Sequence, residues 1–430
     1  MTAARNIRIA ILGLGTVGFG VYELLKRQEG ELEAKTGLRV EVAKILVRNI
    51  AKPREGVDNT LLTDCFEEIA EDASIDMIVE VMGGIEPART YITKALKAGK
   101  NVVTANKDLM ATHGGELLHL AQEMGKDLLF EASVAGGIPI ISPLKQCLAG
   151  NHITEVVGIV NGTTNYILTK MAAEGMEFSD ALHMATELGY AEVDPTADIE
   201  GYDAGRKLAI LASIAFHSPV AFRDVHTEGI TKITAADIHY AQEIGCVIKL
   251  LAIARETDGR IEASVQPMLL SKNHPLASVD DVFNAVFVHG DAVDDAMFYG
   301  RGAGRFPTAS ACLGDIIDCM RNIHFQCTGR ISCTCYRNLP VKSMSETLQR
   351  YFLRLQVLDK PGVLAAISSV MGRHGVSIKQ LVQNPTDNAS YAELVLITDT
   401  VREADFRHAL DLFLQMEQIR EVSSLIRVYE

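Results

Sequence analysis

IRIAILGLGTVGFGV, residues Ile7 to Val21, is a short β-branched run that meets glycines spaced G-x-G-x-x-G and continues with helical apolar periodicity. Each glycine has its own reason to be there. Gly13 permits a tight turn, Gly15 lets backbone N–H groups approach a pyrophosphate, and Gly18 lets the helix pack closely on the strand. The amides of Leu14, Thr16 and Val17 belong to the same turn, and the helix amino terminus adds partial positive charge. Glycine turns also end strands for purely structural reasons, so the motif needs its surroundings. From Ile7 to about Cys147 the runs IRIAIL, VEVAKILV, DMIVEV, NVVTA and DLLFEA alternate with amphipathic stretches such as PARTYITKALKAG. That alternation predicts an α/β domain with a doubly wound parallel sheet of Rossmann type, covered on both faces and binding NAD(P).

At the end of the second strand, VEVAKILVRN, an acidic residue would hold the ribose 2′-hydroxyl of NAD. Arg48 stands there instead, followed by Lys52 and Arg54, which favours NADP with Arg48 at its 2′-phosphate. The alternative is a set of solvated loop charges. VVTANKDLM puts Lys107 just past the fourth strand, at the edge where open α/β sheets bind ligands. A lysine there can hold cofactor or substrate, move a proton, or simply snorkel into solvent.

Beyond residue 150 the pattern changes. TEVVGIV reads as a strand, three helical segments follow up to about His217, and VIKLLAIAR, RIEASVQPML and NAVFVHG read as further strands. The expected organisation is a cofactor domain over 1–150 with a return segment at 300–322, and an α+β catalytic and dimerisation domain over 151–299. An irregular linker at 323–349 leads to a third unit over 350–430. Its pattern of strand, helix, strand, strand, helix, strand is the βαββαβ order of a ferredoxin-like domain.

The densest cluster of chemistry is LGYAEVDPTADIEGYDAGRKLAI, which contains Glu192, Asp194, Asp198, Glu200, Asp203 and Lys207. If a helix begins near Asp198, Asp203 and Lys207 share a face at i,i+4. The cluster reads as a carboxylate-lined pocket for a substrate ammonium with a lysine acid or base, or as an ordinary ion pair beside an acidic loop. Upstream, VNGTTNYIL runs from a strand through Gly162 into a helix. The amides of Thr163 and Thr164 can bind a carboxylate, or Thr163 can cap the helix. Cys147 reads as a core thiol, and CTGRISCTC, with Cys327, Cys333 and Cys335, has no histidine partner in register for zinc.

Composition narrows the field. Of 430 residues, 41 are Lys or Arg and 55 Asp or Glu, a formal net charge of −14, so a phosphate-seeking nucleic-acid binder is not expected. Eight scattered cysteines fit reduced thiols rather than a disulfide framework. MTAARNIRIAILGLG has an apolar run that Gly13 interrupts, and no stretch reaches the ~18 apolar residues of a membrane span. A cytoplasmic enzyme without a membrane partner is the expectation.

With these residues assembled, the chain resembles the homoserine dehydrogenases that carry a carboxy-terminal ACT domain. The resemblance rests on GLGTVG (Gly13–Gly18), TANK (Thr104–Lys107), NGTTNYIL (Asn161–Leu168), LGYAEVDPTADIEGYDAGRK (Leu188–Lys207) and GRGAGRFPTAS (Gly300–Ser310). DKPGVLAAIS (Asp359–Ser368) is similar to the start of ACT domains, which bind small amino acids. It implies NAD(P)-dependent interconversion of L-homoserine and L-aspartate 4-semialdehyde, on the route to threonine, methionine and isoleucine. It also implies Lys207 as proton donor oriented by Asp203, with Lys107 as rival or partner. Glu192 and Asp198 would hold the substrate ammonium, Tyr190, Gly162 and Thr163 would line its site, and Gly304 would touch the cofactor. Within EASVAGGIPI, a sodium ion would be held at Glu131, Val134, Gly136 and Ile138, largely by backbone carbonyls. The ACT unit implies feedback by threonine and a homodimer or homotetramer.

Overall fold

The computed structural model describes residues 6–385 and 390–429. Met1 to Arg5, part of the amino-terminal reading above, and residues 386–389 of the ACT-like unit lie outside that range. In chain order, the first elements are β1 (Asn6–Leu12), α1 (Thr16–Arg27), α2 (Glu29–Thr36), β2 (Arg39–Leu46), β3 (Leu62–Thr63), α3 (Glu67–Ala70), β4 (Met77–Glu80), α4 (Ala88–Lys97), β5 (Asn101–Thr104), α5 (Lys107–Glu123) and β6 (Leu128–Leu129). There follow β7 (Ile153–Ile159), α6 (Gly162–Glu174), α7 (Phe178–Glu187), α8 (Thr196–Ile199), α9 (Tyr202–Ala215), β8 (His226–Thr227), α10 (Ala235–Glu243), β9 (Cys246–Thr257), β10 (Arg260–Ser271), β11 (Phe283–Gly290), β12 (Asp294–Arg301) and α11 (Arg305–His324). The last are β13 (Leu348–Leu358), α12 (Val363–Arg373), β14 (Ile378–Pro385), β15 (Tyr391–Thr398), β16 (Val401–Arg402), α13 (Glu403–Phe413) and β17 (Ile419–Val428). No helix among the described residues is long and apolar enough to cross a membrane.

The chain forms two compact units, of which the first comprises 1–162, 206–225 and 283–339. Its parallel sheet has the order β3-β2-β1-β4-β5-β6, with the reversal between β1 and β4 that marks a dinucleotide-binding crevice. Ile7, Ile9, Ile11 and Leu12 of β1 are wholly buried, as expected for a strand covered on both faces. One covering layer is α11, whose Ala309, Cys312, Ile316 and Cys319 join the β1 core. Gly20 makes the α1–α11 approach possible, since a Cβ there would lie 2.8 Å from the Arg305 carbonyl oxygen. An antiparallel ribbon runs β12-β11-β7. Strand β12, DDAMFYGR, is half exposed along its length, and this polarity hid it from a reading that looked for apolar runs.

The second unit comprises 163–205, 226–282 and 340–430. Its strands run β9-β10-β17-β13-β15-β14. The β9–β10 hairpin turns on Asp258 and Gly259, both at positive φ, the two-residue geometry that suits right-twisted strands. The ferredoxin-like order β13-α12-β14-β15-α13-β17 is present, over a core that includes Tyr351 stacked on Phe406 at 3.7 Å. Its last strand pairs in parallel with β10 through Met268–Arg427 and Leu269–Val428.

Three local expectations need correction. DLLFEA is a strand only at Leu128–Leu129 and then becomes a 3₁₀ turn, because Glu131 is buried and its carboxylate accepts the amides of Ile140, Ile141 and Ser142. No helix runs from Asp198 to Lys207. Helix α8 stops at Ile199, Gly201 turns the chain at φ +80°, and α9 starts afresh at Tyr202, still carrying both Asp203 and Lys207. Cys147 is exposed rather than in the core, since Pro143–Cys147 is a π-turn whose wider pitch rotates side chains off the 3.6-residue period.

Candidate active site

The glycine loop meets the sheet at its switch point. Gly13 sits at φ +100° directly after β1, and its amide donates to the Leu46 carbonyl at 3.0 Å, drawing the loop against the end of β2. A Cβ on Gly18 would lie 2.1 Å from the Gly13 oxygen, so Gly18 is required by packing. A Cβ on Gly15 would meet nothing within 4 Å. Gly15 therefore borders open space, and it is the N-cap of α1 with no side-chain cap and no acidic residue in the first turn. The first-turn amides, those of Thr16 and Val17 among them, have no intrahelical acceptors and are suited to a pyrophosphate. Arg48 is exposed two residues beyond β2. Arg54 is committed elsewhere: it donates to the carbonyls of Asn49 and Lys52 and so pins its own loop.

Across the crevice, β4 ends in Glu80, a wholly buried carboxylate whose pKa burial raises. It accepts the Thr104 hydroxyl at 2.6 Å and the Met82 amide at 2.8 Å, tying the ends of β4 and β5 together. Asn106 caps α5 by accepting from the Leu109 amide and donates to the Gly84 carbonyl at 2.6 Å. This fixes Lys107 as the first residue of α5. Its neighbour Asp108 pairs with Arg206 at 3.4 Å, so the two candidate lysines, Lys107 and Lys207, flank one ion pair. The Lys207 ammonium donates to the Val160 carbonyl at 2.7 Å, just before the NGTT segment.

The return segment closes this side. Gly304 adopts φ +126° as the N-cap of α11. A Cβ on Gly136 would lie 2.1 Å from the Gly302 oxygen, so the Val134–Ile138 turn and the return loop touch backbone to backbone.

In the second unit, the Thr163 hydroxyl donates to the Tyr190 carbonyl at 2.8 Å rather than capping its helix, which already starts at Gly162. The rings of Tyr190 and Tyr166 are 5.0 Å apart. NGTT and LGY are thus brought together. The acidic cluster separates by role: Asp194 accepts the Thr196 amide and hydroxyl to start α8, and Glu200 accepts from Thr231. Glu192 is exposed, Asp198 half-buried and Asp203 buried.

Comparison with known proteins is consistent across the chain. Family models for homoserine dehydrogenase, for its NAD-binding domain and for the ACT domain match residues 139–317, 13–131 and 351–417. Homoserine dehydrogenase of Corynebacterium glutamicum is 47% identical over 98% of this chain and 95% of its own, and that of Bacillus subtilis 43% over 99% and 98%. The chain belongs to the homoserine dehydrogenase family. The crystal structure of the Thiobacillus denitrificans homoserine dehydrogenase superposes with a TM-score of 0.94 at 39% identity, covering 100% of both chains. A hyperthermophilic archaeal homoserine dehydrogenase in complex with NADPH covers 73% of this chain and 98% of its own, with a TM-score of 0.63 at 29% identity.

Two polar residues of this homoserine dehydrogenase site escaped the sequence reading. Glu80 left a signal, a lone charge closing the apolar run DMIVEV, and Asn106 left another, an asparagine at the N-cap position before Lys107. The segment EASVAGGIPI, where sodium was expected, is also informative. Ala135 and Gly136 are consecutive residues at positive φ, and the Glu131 carboxylate is consumed by three amides. What remains there for a hard cation is backbone oxygen.

Proposed function

We propose that this oxidoreductase interconverts L-homoserine and L-aspartate 4-semialdehyde, with NADP preferred, in the synthesis of threonine, methionine and isoleucine. The observation that carries the reading is the Lys207 ammonium anchored at 2.7 Å on Val160, beside the NGTT helix entry and next to the ion pair that fixes Lys107. Gly13, Leu14, Gly15, Thr16, Val17 and Gly18 hold the pyrophosphate, Gly304 borders the cofactor, and Arg48 meets the 2′-phosphate. The nicotinamide, when bound, supplies or accepts the hydride. Lys207 gives a proton to the oxygen that gains charge at the aldehyde carbon and takes it back from the alcohol in reverse. Asp203, one turn earlier on α9, orients it, and Lys107 assists or replaces it. Glu192 and Asp198 receive the substrate ammonium, while Tyr190, Gly162 and Thr163 line the amino-acid end. Glu131, Val134, Gly136 and Ile138 would hold a sodium ion, largely through their backbone carbonyls, and so stiffen the turn packed on Gly302.

The domain functions divide as 1–150 with 300–322 for cofactor, 151–299 for catalysis and dimerisation, 323–349 as linker and 350–430 for regulation, in a cytoplasmic homodimer or homotetramer. Threonine is the proposed effector, bound near Gly362 and Gly375–Gln380, biasing the enzyme between two states by differential affinity. Initial rates with homoserine and either NADP or NAD, with and without threonine and sodium, test the whole reading. Absence of homoserine oxidation overturns it. Equal use of NAD overturns the cofactor preference, and unchanged rate and oligomeric state at saturating threonine overturn the regulation.

A further inference from the structure

The CTC sequence has no part in the reaction above, yet its setting is specific. Cys333 and Cys335 are both partly exposed and line a cavity of about 590 Å³ with Lys145, Phe130, Ser213 and His119. One residue, Thr334, separates the two thiols, and each is the largest influence on the other's protonation. The Cys335 thiol also lies 3.4 Å from the Ser213 carbonyl oxygen, which it reaches as a donor. The backbone around them is held from outside: Arg337 donates to the His217 carbonyl at 2.8 Å, and the Leu339 amide to the Ser218 hydroxyl at 2.8 Å. Lys145 Nζ sits 5.4 Å from the Phe130 ring centre; burial lowers its pKa, and Cys333 and Cys335 are the groups that most oppose this by favouring the ammonium. A cation, an accessible thiol and an adjacent second thiol are the ingredients of a redox-reactive cysteine pair.

We propose that Cys333 and Cys335 form a peroxide-reactive dithiol, in which Cys333 attacks and Cys335 resolves the product to an intrachain disulfide. The Cys333 sulfur bonds to one oxygen of hydrogen peroxide as the O–O bond breaks. Hydroxide leaves and takes up a proton to become water, and Cys333 is left as a sulfenic acid. The Cys335 sulfur then displaces the sulfenic oxygen, which departs as a second water with the Cys335 proton. Two thiols lose two electrons in total and one peroxide gains them; an added dithiol reverses the change.

The protonation state supports this order. The neighbouring Cys335 thiol first, then the Cys335 amide and the charges of Lys145 and His119, hold Cys333 below the ordinary thiol range against the opposing effect of burial. Cys335 is pushed upward by the Cys333 thiol beside it and by burial, so it keeps its proton until the second step. The remaining candidates are less suited: burial raises both Cys312 and Cys319.

The test uses the full-length reduced protein, hydrogen peroxide, alkylation and tryptic mapping. Cleavage after Arg330 and Arg337 releases ISCTCYR, which carries both thiols and no other cysteine. The expected result is that this peptide becomes two hydrogens lighter and resists alkylation, and that prior dithiothreitol restores two alkylated cysteines. Cys335→Ser leaves a sulfenic acid on Cys333 that a 1,3-diketone probe captures, whereas Cys333→Ser leaves Cys335 reduced. The oxidation rate changes less than about twofold between pH 7 and 8, where an ordinary thiol gains about eightfold in thiolate. Full alkylation of ISCTCYR at peroxide levels that already oxidise exposed Cys147 overturns the proposal. So does equal oxidation of Cys335 in the Cys333→Ser protein.

Discussion

The crevice of the first unit and the junction of the second solve different problems with different materials. At the crevice, function is carried by backbone: Gly13 and Gly18 let chain segments meet, and Gly15 borders open space so that helix amides face a ligand. At the junction where β17 meets β10, the materials are buried charges. Arg427 is almost wholly buried and pairs with Glu228 at 2.8 Å and with Glu403 at 3.0 Å, while Glu403 also takes the Tyr351 hydroxyl. A second buried arginine, Arg354, pairs with Asp237 at 3.0 Å and Glu393 at 2.7 Å. Glu228 leads directly into Gly229, whose missing side chain admits the Ile199 carbonyl within 2.2 Å of where a Cβ would stand. The ACT-like sheet is thereby connected, through a few packed residues, to the α8 segment that carries Asp198. Backbone devices set a surface for a ligand, whereas buried ion pairs sit where the ACT-like strands join β10 in one sheet.

The largest effect that would break this contrast lies at the crevice. Lys207→Ala is expected to lower turnover roughly 10²–10⁴-fold, with NADPH binding by fluorescence little changed. Near-normal turnover would remove Lys207 from the chemistry. At the junction, Arg427→Ala removes the buried cation shared by Glu228 and Glu403, leaving them His226 and Arg407 as partners, and is expected to cost about 1.5–3 kcal/mol of stability, measured by denaturant unfolding. A cost near zero would make the junction a bystander.

Smaller effects separate the glycines. Gly18→Ala places a methyl against the Gly13 carbonyl and should destabilise by about 1–3 kcal/mol. Gly15→Ala should leave stability within about 1 kcal/mol while raising the cofactor KM. If thermal melts show the two variants equally destabilised, the distinction between packing and approach is wrong. The smallest effect is in pH. Burial opposes charge on Glu228, but His226 and Arg427 outweigh it and hold its carboxyl down to about 2. A depressed carboxylate stabilises above its unfolded value of about 4.5 and loses that contribution as pH falls towards 2, worth about 1–2 kcal/mol after allowance for partial exposure. Glu228→Gln should flatten the unfolding midpoint between pH 5 and 3.

How much could be read in advance follows from the same contrast. The crevice was legible because G-x-G-x-x-G, TANK and NGTT are each contiguous, and local spacing dictates local geometry. The DG turn of the β9–β10 hairpin is local in the same way. Glu228 and Arg427 are 199 residues apart, and neither carries any pattern in its own neighbourhood. The break at Gly201 was missed because i,i+4 spacing survives a helix that restarts four residues later than expected. Cys147 was misplaced because a π-turn leaves no periodic trace in five residues. Capping of its own helix was one reading of Thr163, because its partner, Tyr190, lies 27 residues away and leaves no local trace.

The parallel pairing of β17 with β10 bears on what can be removed from this protein. Leu269 accepts the Tyr429 amide at 2.8 Å, so the chain's last described residues cover the main-chain groups along that edge of β10. Deleting the ACT domain would strip this cover and leave Met268 to Leu270 as a bare apolar strand margin, competent to recruit a strand from another molecule. The ACT domain is therefore a guard against self-association. A chain shortened before β13 should be judged first by its state of association.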